Sequence, residues 1–465
     1  MRTLPLIGAL ALAVASGAAR ADDLGPLTLE EAVGYAVAHH PTVQARTAEA
    51  AAQGAEVDVA RAAYLPQLDA SLQVNAGTGN VLRGPLFPVA GVPSVSGPPT
   101  GRSLSDVGWG TLAGVGASWN ALGLPEQIAE VDAALASEEQ ARAEVAAERL
   151  AVAYGAADQF LDLMSRDEVV RAANASVERA RALAKIVDTL VAQQLRPGAD
   201  GSRAQAELAL AVTQLIRAQQ AAAVSRATLA RALGAAGRTV AIRGDALLLA
   251  RAVSSGFAPG TKNPLVLEAE AAERTADARQ RAVRWQYAPR LDLVGSMWIR
   301  GSGLTNGTAA GALPPSPANG LLPDTPNWAV GLVLTWPALE IVATHARSSA
   351  AAARGEAARA RRTDIEQAIR SQLEVAQKSL AAAQQVAANT PVALAAARAA
   401  ESQATARYRA GLATVVEVAE ADGLLAEAEA EDAVARIDVL RAQLLTARAV
   451  GDLEPFFAPL RSGSR

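Results

Sequence analysis

The sequence predicts an α+β membrane protein, with long antiparallel helices packed as coiled coils and four β-strands that one chain contributes to a barrel shared between copies. Three observations predict it. About half of the 465 residues are apolar but only 3% are aromatic. Much of that apolar content is alanine, which favours helix and close helix packing but cannot fill a large globular core. The chain is internally duplicated. Finally, two short segments, one in each repeat, alternate apolar and polar residues with a period of two, the pattern of strands with one apolar and one polar face, and a weaker strand segment follows each.

Residues 1–21 read as an export signal. Arg2 precedes an apolar run from Leu4 to Ala15, and Ala19-Arg20-Ala21 supplies a small-x-small cleavage pattern before Asp22-Asp23. Beyond it, no window of about 18 residues is strongly and continuously apolar, so a membrane crossing by the mature chain requires a closed β-barrel. The absence of cysteine excludes disulfides, thiolate metal sites, a cysteine nucleophile and a lipidated N-terminal cysteine. A formal net charge of −4 gives no electrostatic footprint for nucleic acid.

The duplication shows in three ordered matches. Tyr64-Leu65-Pro66-Gln67-Leu68-Asp69 reads against Tyr287-Ala288-Pro289-Arg290-Leu291-Asp292. Gly114 to Trp119 reads against Gly331 to Trp336. Leu195-Arg196-Pro197-Gly198 reads against Tyr408-Arg409-Ala410-Gly411. The repeats are set at 22–235 and 264–452. Between them 236–263 reads as a small mixed insertion carrying Thr239-Val240-Ala241-Ile242, and 453–465 is a C-terminal tail.

Each repeat follows one plan. A helix from about Leu29 to Ala63 ends at the Tyr-x-Pro step, because proline disfavours helix in the residue before it. The first strand, about 68–77, places Leu68, Ala70, Leu72, Val74 and Ala76 on one face and Asp69, Ser71, Gln73 and Asn75 on the other. A Gly/Pro/Ser-rich loop leads to a glycine-rich second strand, about 107–120. The second repeat gives strands at about 290–300 and 328–336, joined by another Pro/Gly-rich loop. Trp109, Trp119, Trp298, Trp328 and Trp336 lie in or near these strands, as a membrane-interface girdle would require. Strands of about ten residues can cross a tilted bilayer. Four cannot enclose a wide pore, since barrel diameter grows with strand number, so several chains must share one barrel.

About 70 residues separate Pro125 from Leu195, and a similar number separate Ala338 from Tyr408, interrupted at Pro391. At about 1.5 Å per residue each stretch would run roughly 100 Å as helix. Helices of that length without an all-round apolar surface must pack side by side. Both end at a glycine turn, Gly198 and Gly411, from which a return helix follows.

With Leu27-Thr28-Leu29-Glu30-Glu31-Ala32, the duplicated Tyr-x-Pro-x-Leu, the glycine turns, and above all Tyr408-Arg409-Ala410-Gly411-Leu412-Ala413-Thr414-Val415-Val416-Glu417-Val418, the chain resembles the outer-membrane efflux protein family of the TolC type over nearly all its mature length. The resemblance implies a homotrimer with a twelve-stranded barrel in the outer membrane and a helical α-barrel tunnel reaching into the periplasm. A periplasmic adaptor and an inner-membrane pump dock at its closed end. It implies a passive conduit without cofactor, not an enzyme. A periplasmic helical-hairpin adaptor is the alternative reading, but it would lack four amphipathic strands with long Pro/Gly loops.

Glu417 and Glu420 lie three apart, on one helix face with Glu427, Glu431 and Asp438, while Leu424 interrupts the stripe. The resemblance implies that Glu417 and Glu420 form a constriction ring, which would favour cations. It further implies that Tyr408 helps close the tunnel end, and that the turns at Gly198 and Gly411 meet the adaptor. Ala413 stands where some members carry arginine, and Ala204, beside Arg203, where an acidic residue would help latch the end. A different closing contact is therefore expected. The pair His39-His40 cannot chelate a metal from one helix face, and no metal, nucleophile or phosphate-binding motif is expected.

Overall fold

The computed structural model describes residues 24–78, 107–120, 123–244, 263–302, 321–336 and 340–462. The export signal, most of both inter-strand loops and most of the insertion lie outside the described residues. In chain order the elements are β1 (Leu24–Leu27), α1 (Leu29–His39), α2 (Pro41–Ala62), β2 (Gln67–Thr78), β3 (Val107–Asn120), α3 (Leu124–Ala192), α4 (Gly198–Ala232) and β4 (Val240–Ile242). They continue with α5 (Pro264–Trp285), β5 (Arg290–Ser302), β6 (Thr325–Thr335), α6 (Ile341–Arg409), α7 (Val415–Val450) and α8 (Glu454–Ser462). The chain divides into two compact units, one of residues 51–140 and 271–360, the other of the remainder. None of the described helices is long and apolar enough to cross a membrane.

The first unit holds a four-stranded antiparallel sheet in the order β2-β3-β5-β6. Its register, with Ala70 opposite Val115, Val115 opposite Met297 and Met297 opposite Trp328, aligns one apolar face across all four strands. Leu68, Leu72 and Val74 of β2, Val115 of β3, Leu293 and Met297 of β5, and Trp328, Val330, Leu332 and Leu334 of β6 are all exposed on it. Among the described residues neither edge strand, β2 or β6, pairs with a further strand. The strands run 11 to 14 residues; β3 has the expected bounds, the other three are slightly longer than expected, and Trp336 falls just beyond the end of β6.

The register separates the five tryptophans. Trp109, Trp119 and Trp328 stand on the apolar face, and Trp336 continues its parity. Trp298 stands on the opposite face, in register with Gly114 and Asn327, because successive strand side chains alternate and its neighbours Met297 and Ile299 take the apolar side. Trp298 is therefore withdrawn from the predicted girdle. Gly114 accommodates it, for a Cβ there would lie 2.7 Å from the Trp298 Cβ.

The second unit is helical around one main core. Phe160, Leu161 and Leu163 of α3, Leu229 of α4, Leu233 and Ile437 and Leu444 of α7 are fully buried there. Beside them β1 pairs in parallel with β4, which the sequence pattern did not reveal: strands of four and three residues are too short to display a period.

Two expectations need correction. The helix read from Leu29 to Ala63 is two helices, parted at His40, which takes an extended conformation (φ −66°, ψ 128°). Pro41 disfavours helix in the residue before it, so the signal was present. Pro391 does not interrupt α6, which runs through it. Leu394 and Ala397, just beyond it, pack against Leu425 and Ala428 of α7, and that packing holds the helix despite the hydrogen bond Pro391 cannot make. Within the C-terminal tail, Glu454–Ser462 forms α8, whose Phe456 and Phe457 enter the main core.

Candidate functional site at the hairpin ends

Helices α3 and α4 form one hairpin and α6 and α7 another, and the two turns come together. Both α3 and α6 end in the same hydrogen-bonded motif. Gln194 N–H donates to the Val191 carbonyl (2.9 Å) and Leu195 N–H to that of Leu190 (2.9 Å). Gly411 N–H donates to the Tyr408 carbonyl (3.0 Å) and Leu412 N–H to that of Arg407 (2.8 Å). This pairing satisfies the last helix carbonyls and requires a left-handed residue. Gln194 (φ 57°) and Gly411 (φ 78°) supply it.

The turns therefore set Gln194 against Gly411, Leu195 against Leu412 and Arg196 against Ala413. Gly198 corresponds to Val415, and each is the first residue of its return helix. The sequence match of Gly198 with Gly411 is thus shifted by four residues, and Gly198 caps nothing. The reason is that glutamine, unlike glycine, gives no sign in a sequence that it holds a left-handed conformation. Leu195 and Leu412, at equivalent positions, are 65% and 71% exposed.

Between the turns lies an apolar cluster of Ala184 and Val187 from α3, Ala204 from α4, Tyr408, Ala413, and Val415 and Val418 from α7. Ala204 and Ala413, where charged partners were looked for, are buried in it. Tyr408 is 2% exposed, and its hydroxyl is buried with no hydrogen-bond partner. Burial pushes the Tyr408 pKa up, opposed by Arg196 and reinforced by Asp200. The Arg196 guanidinium carbon lies 4.9 Å from the Tyr408 ring centroid. Its Nη2 donates to the Tyr408 and Ala413 carbonyls, both at 3.5 Å.

Glu417 is occupied at the start of α7. The Thr414 hydroxyl accepts from Glu417 N–H (3.3 Å), while the Glu417 carboxylate accepts from Thr414 N–H (3.1 Å) and lies 3.7 Å from Arg407. This reciprocal cap satisfies two of the helix's free donors. Glu420, Glu427, Glu431 and Asp438 are exposed. The other acidic residues of α7 turn inward. Asp422 and Glu429 bind Arg179 of α3, Glu429 at 3.2 Å, and Ser176 donates to Asp422 (3.1 Å). Buried Asp432 accepts from Thr390 (3.0 Å) and from Arg436. Burial works against the Arg179 charge, but Asp422 and Glu429 outweigh it and hold its pKa above the usual value. Neither arginine's role shows in the sequence: Arg196 enters only as part of the turn Leu195-Arg196-Pro197-Gly198, and Arg179 stands in no motif.

Residues 261–452 match the model of the family described as outer membrane efflux protein. No curated protein matches the sequence significantly. Among solved structures the fold is similar to that of the outer-membrane channel OprN, with TM-score 0.69 and 19% identity over 91% of this chain and 89% of that one. It is similar to the outer membrane protein VceC of Vibrio cholerae, with TM-score 0.70 and 17% identity over 91% and 96%. It is also similar to the CmeC outer membrane channel of Campylobacter jejuni, with TM-score 0.71 and 14% identity over 91% and 85%. The second repeat is therefore an outer membrane efflux protein domain, and the fold that carries it is the fold of the outer-membrane channels.

Proposed function

We propose that this chain is the outer-membrane channel subunit that forms the passive exit duct of a tripartite efflux pump or type I secretion system. It works as a homotrimer, set in the outer membrane and reaching into the periplasm, with a periplasmic adaptor and an inner-membrane pump as partners. The observation that carries this reading is the sheet: four strands of bilayer length, one apolar face exposed and, among the described residues, both edges unpaired. In hydrocarbon each unpaired backbone group costs several kcal/mol, so a lipid-facing sheet must close. Three chains of four strands each close it as twelve.

On this reading the exposed face of α7 lines the duct. Glu420, Glu427, Glu431 and Asp438 lend it negative charge, and Glu417 adds to the ring at the cost of its capping role. The turns meet the adaptor through Leu195 and Leu412 rather than through the glycines beside them.

Native mass in mild detergent is the decisive measurement. Three chains are expected, and a stable monomer released from membranes by carbonate would refute the shared barrel. Replacing Glu417 and Glu420 together with alanine should weaken cation preference in planar bilayers; unchanged selectivity would remove them from the constriction.

A further inference from the structure

We infer that the cleft among α3, α4, α6 and α7 is a binding site for a small uncharged or cationic molecule with an apolar body and an acceptor oxygen. The inference stands on these four helices alone and does not need the duct.

The cleft has a volume of about 350 Å³ and all four helices line it, which is within the range of small-molecule sites. Its walls carry apolar side chains from three of them: Leu183 and Ile186 of α3, Leu210 of α4 and Val418 of α7. Gly423 of α7 keeps it open. A Cβ built there would meet nothing within 4 Å, so no neighbour in the chain demands glycine, yet glycine inside a helix is unfavourable. The missing side chain leaves room for a ligand to lie against the helix backbone.

Polar groups set the chemistry of that ligand. Arg179 lines the cleft. Its Nε is held by Asp422 and its Nη1 by Glu429, while its Nη2 is buried with no hydrogen-bond partner. A buried donor left unmade is costly, and the oxygen of a carbonyl or sulfonyl group would satisfy it. A carboxylate would not suit: among the described lining residues Glu207, Glu401 and Asp422 outnumber Arg179 and Arg409, and Glu429 adds a further negative charge at Arg179. An anion would meet net repulsion in a site only partly open to water, where charges act more strongly than in bulk solvent.

The chain has no cysteine, so Gly423→Cys in the full-length protein carries a single thiol, placed in the cleft. Its rate of modification by a methanethiosulfonate reagent is measured alone, with dansylamide (a neutral aromatic with sulfonyl oxygens) and with dansylate, the corresponding anion. Dansylamide should slow the reaction several-fold and dansylate hardly at all. Ser379→Cys, exposed on α6 outside the cleft, should react at one rate throughout. Adding Arg179→Lys, which keeps the charge but offers no donor in place of Nη2, should remove most of the protection by dansylamide. Gly423→Leu should fill the cleft, leave the thermal midpoint unchanged or higher, and abolish the fluorescence gain of bound dansylamide. Should Gly423→Cys disturb folding, Ala419→Cys, also in the lining, takes its place. No protection at either position, or equal protection by the anion, would overturn the site. A thiol that reacts only after unfolding would mean that another chain covers the cleft, and would overturn it equally.

Discussion

The two hairpin ends descend from one repeated plan yet close by different chemistry. At the second, glycine takes the left-handed position and a Thr414–Glu417 cap starts the return helix. At the first, Gln194 is held left-handed, and Pro197 precedes α4 without a side-chain cap. The first end is thus locally the weaker, and it is also the one that sends a side chain, Arg196, across to its neighbour. The difference teaches that duplication fixes backbone hydrogen bonding more strictly than it fixes residues. The same carbonyls are satisfied at both turns, and the sequence is free to vary around them.

That comparison can be broken at several points, most strongly at Tyr408. Truncation to alanine should cost about 4 kcal/mol, as expected for emptying a buried aromatic site. Val191, its equivalent in the first hairpin, should cost only about 1 kcal/mol when cut to alanine. Thermal unfolding checks both. Tyr408→Phe should be neutral or stabilise by up to about 1 kcal/mol, because it removes an unpaired buried hydroxyl. The raised pKa of Tyr408 gives this variant a second signature. The folded state holds the phenolic proton more tightly than the unfolded chain, so the native protein loses stability as pH rises above the ordinary tyrosine value. Tyr408→Phe should lack that alkaline loss.

A charge placed in the cluster comes next. Ala204→Asp should destabilise by about 3 kcal/mol, since the carboxylate would be buried among apolar groups. The same change at Ala421, which holds the equivalent place in the second hairpin and is only half-buried, should cost at most about 1 kcal/mol. Equal losses in denaturant titrations would show that the cluster does not distinguish the repeats.

The backbone itself supplies smaller effects. Gly411→Ala should cost about 1 kcal/mol although space around it is open, because its φ is positive. Gln194→Gly should instead stabilise by roughly 0.5 kcal/mol, making the first turn like the second. The smallest effect is expected at Gly198, where alanine meets open space at an ordinary helical position and should gain a few tenths of a kcal/mol. A loss there equal to that at Gly411 would restore the glycine-to-glycine match that the turns contradict.

Much of this was readable from residues alone. The alternation of Leu68 to Ala76 against Asp69 to Asn75 located β2 and its apolar face, and the stripe from Glu420 to Asp438 is exposed as its spacing implied. The break at Pro41 was equally available but was outweighed by a long helical composition. Other features had no local signal. Nothing near Pro391 says that α7 will support the helix through it. Nothing in Glu-Pro-Phe-Phe says that those aromatics will join a core built from Phe160 and Leu444. The side of the sheet taken by Trp298 follows from register, which depends on partners far along the chain.

The long helices and the four long strands were legible in the residues alone, because helix and strand periods are local properties of a few successive residues. The sequence also marked out four amphipathic strands, whose apolar face and, among the described residues, unpaired edges are the basis of the proposed shared barrel. What stands at the hairpin ends was settled by packing between distant segments: Ala204 and Ala413 are buried in an apolar cluster, and Arg196 is set on Tyr408. Those outcomes depend on which side chains two turns more than 200 residues apart bring within a few ångströms, and no local pattern encodes that distance.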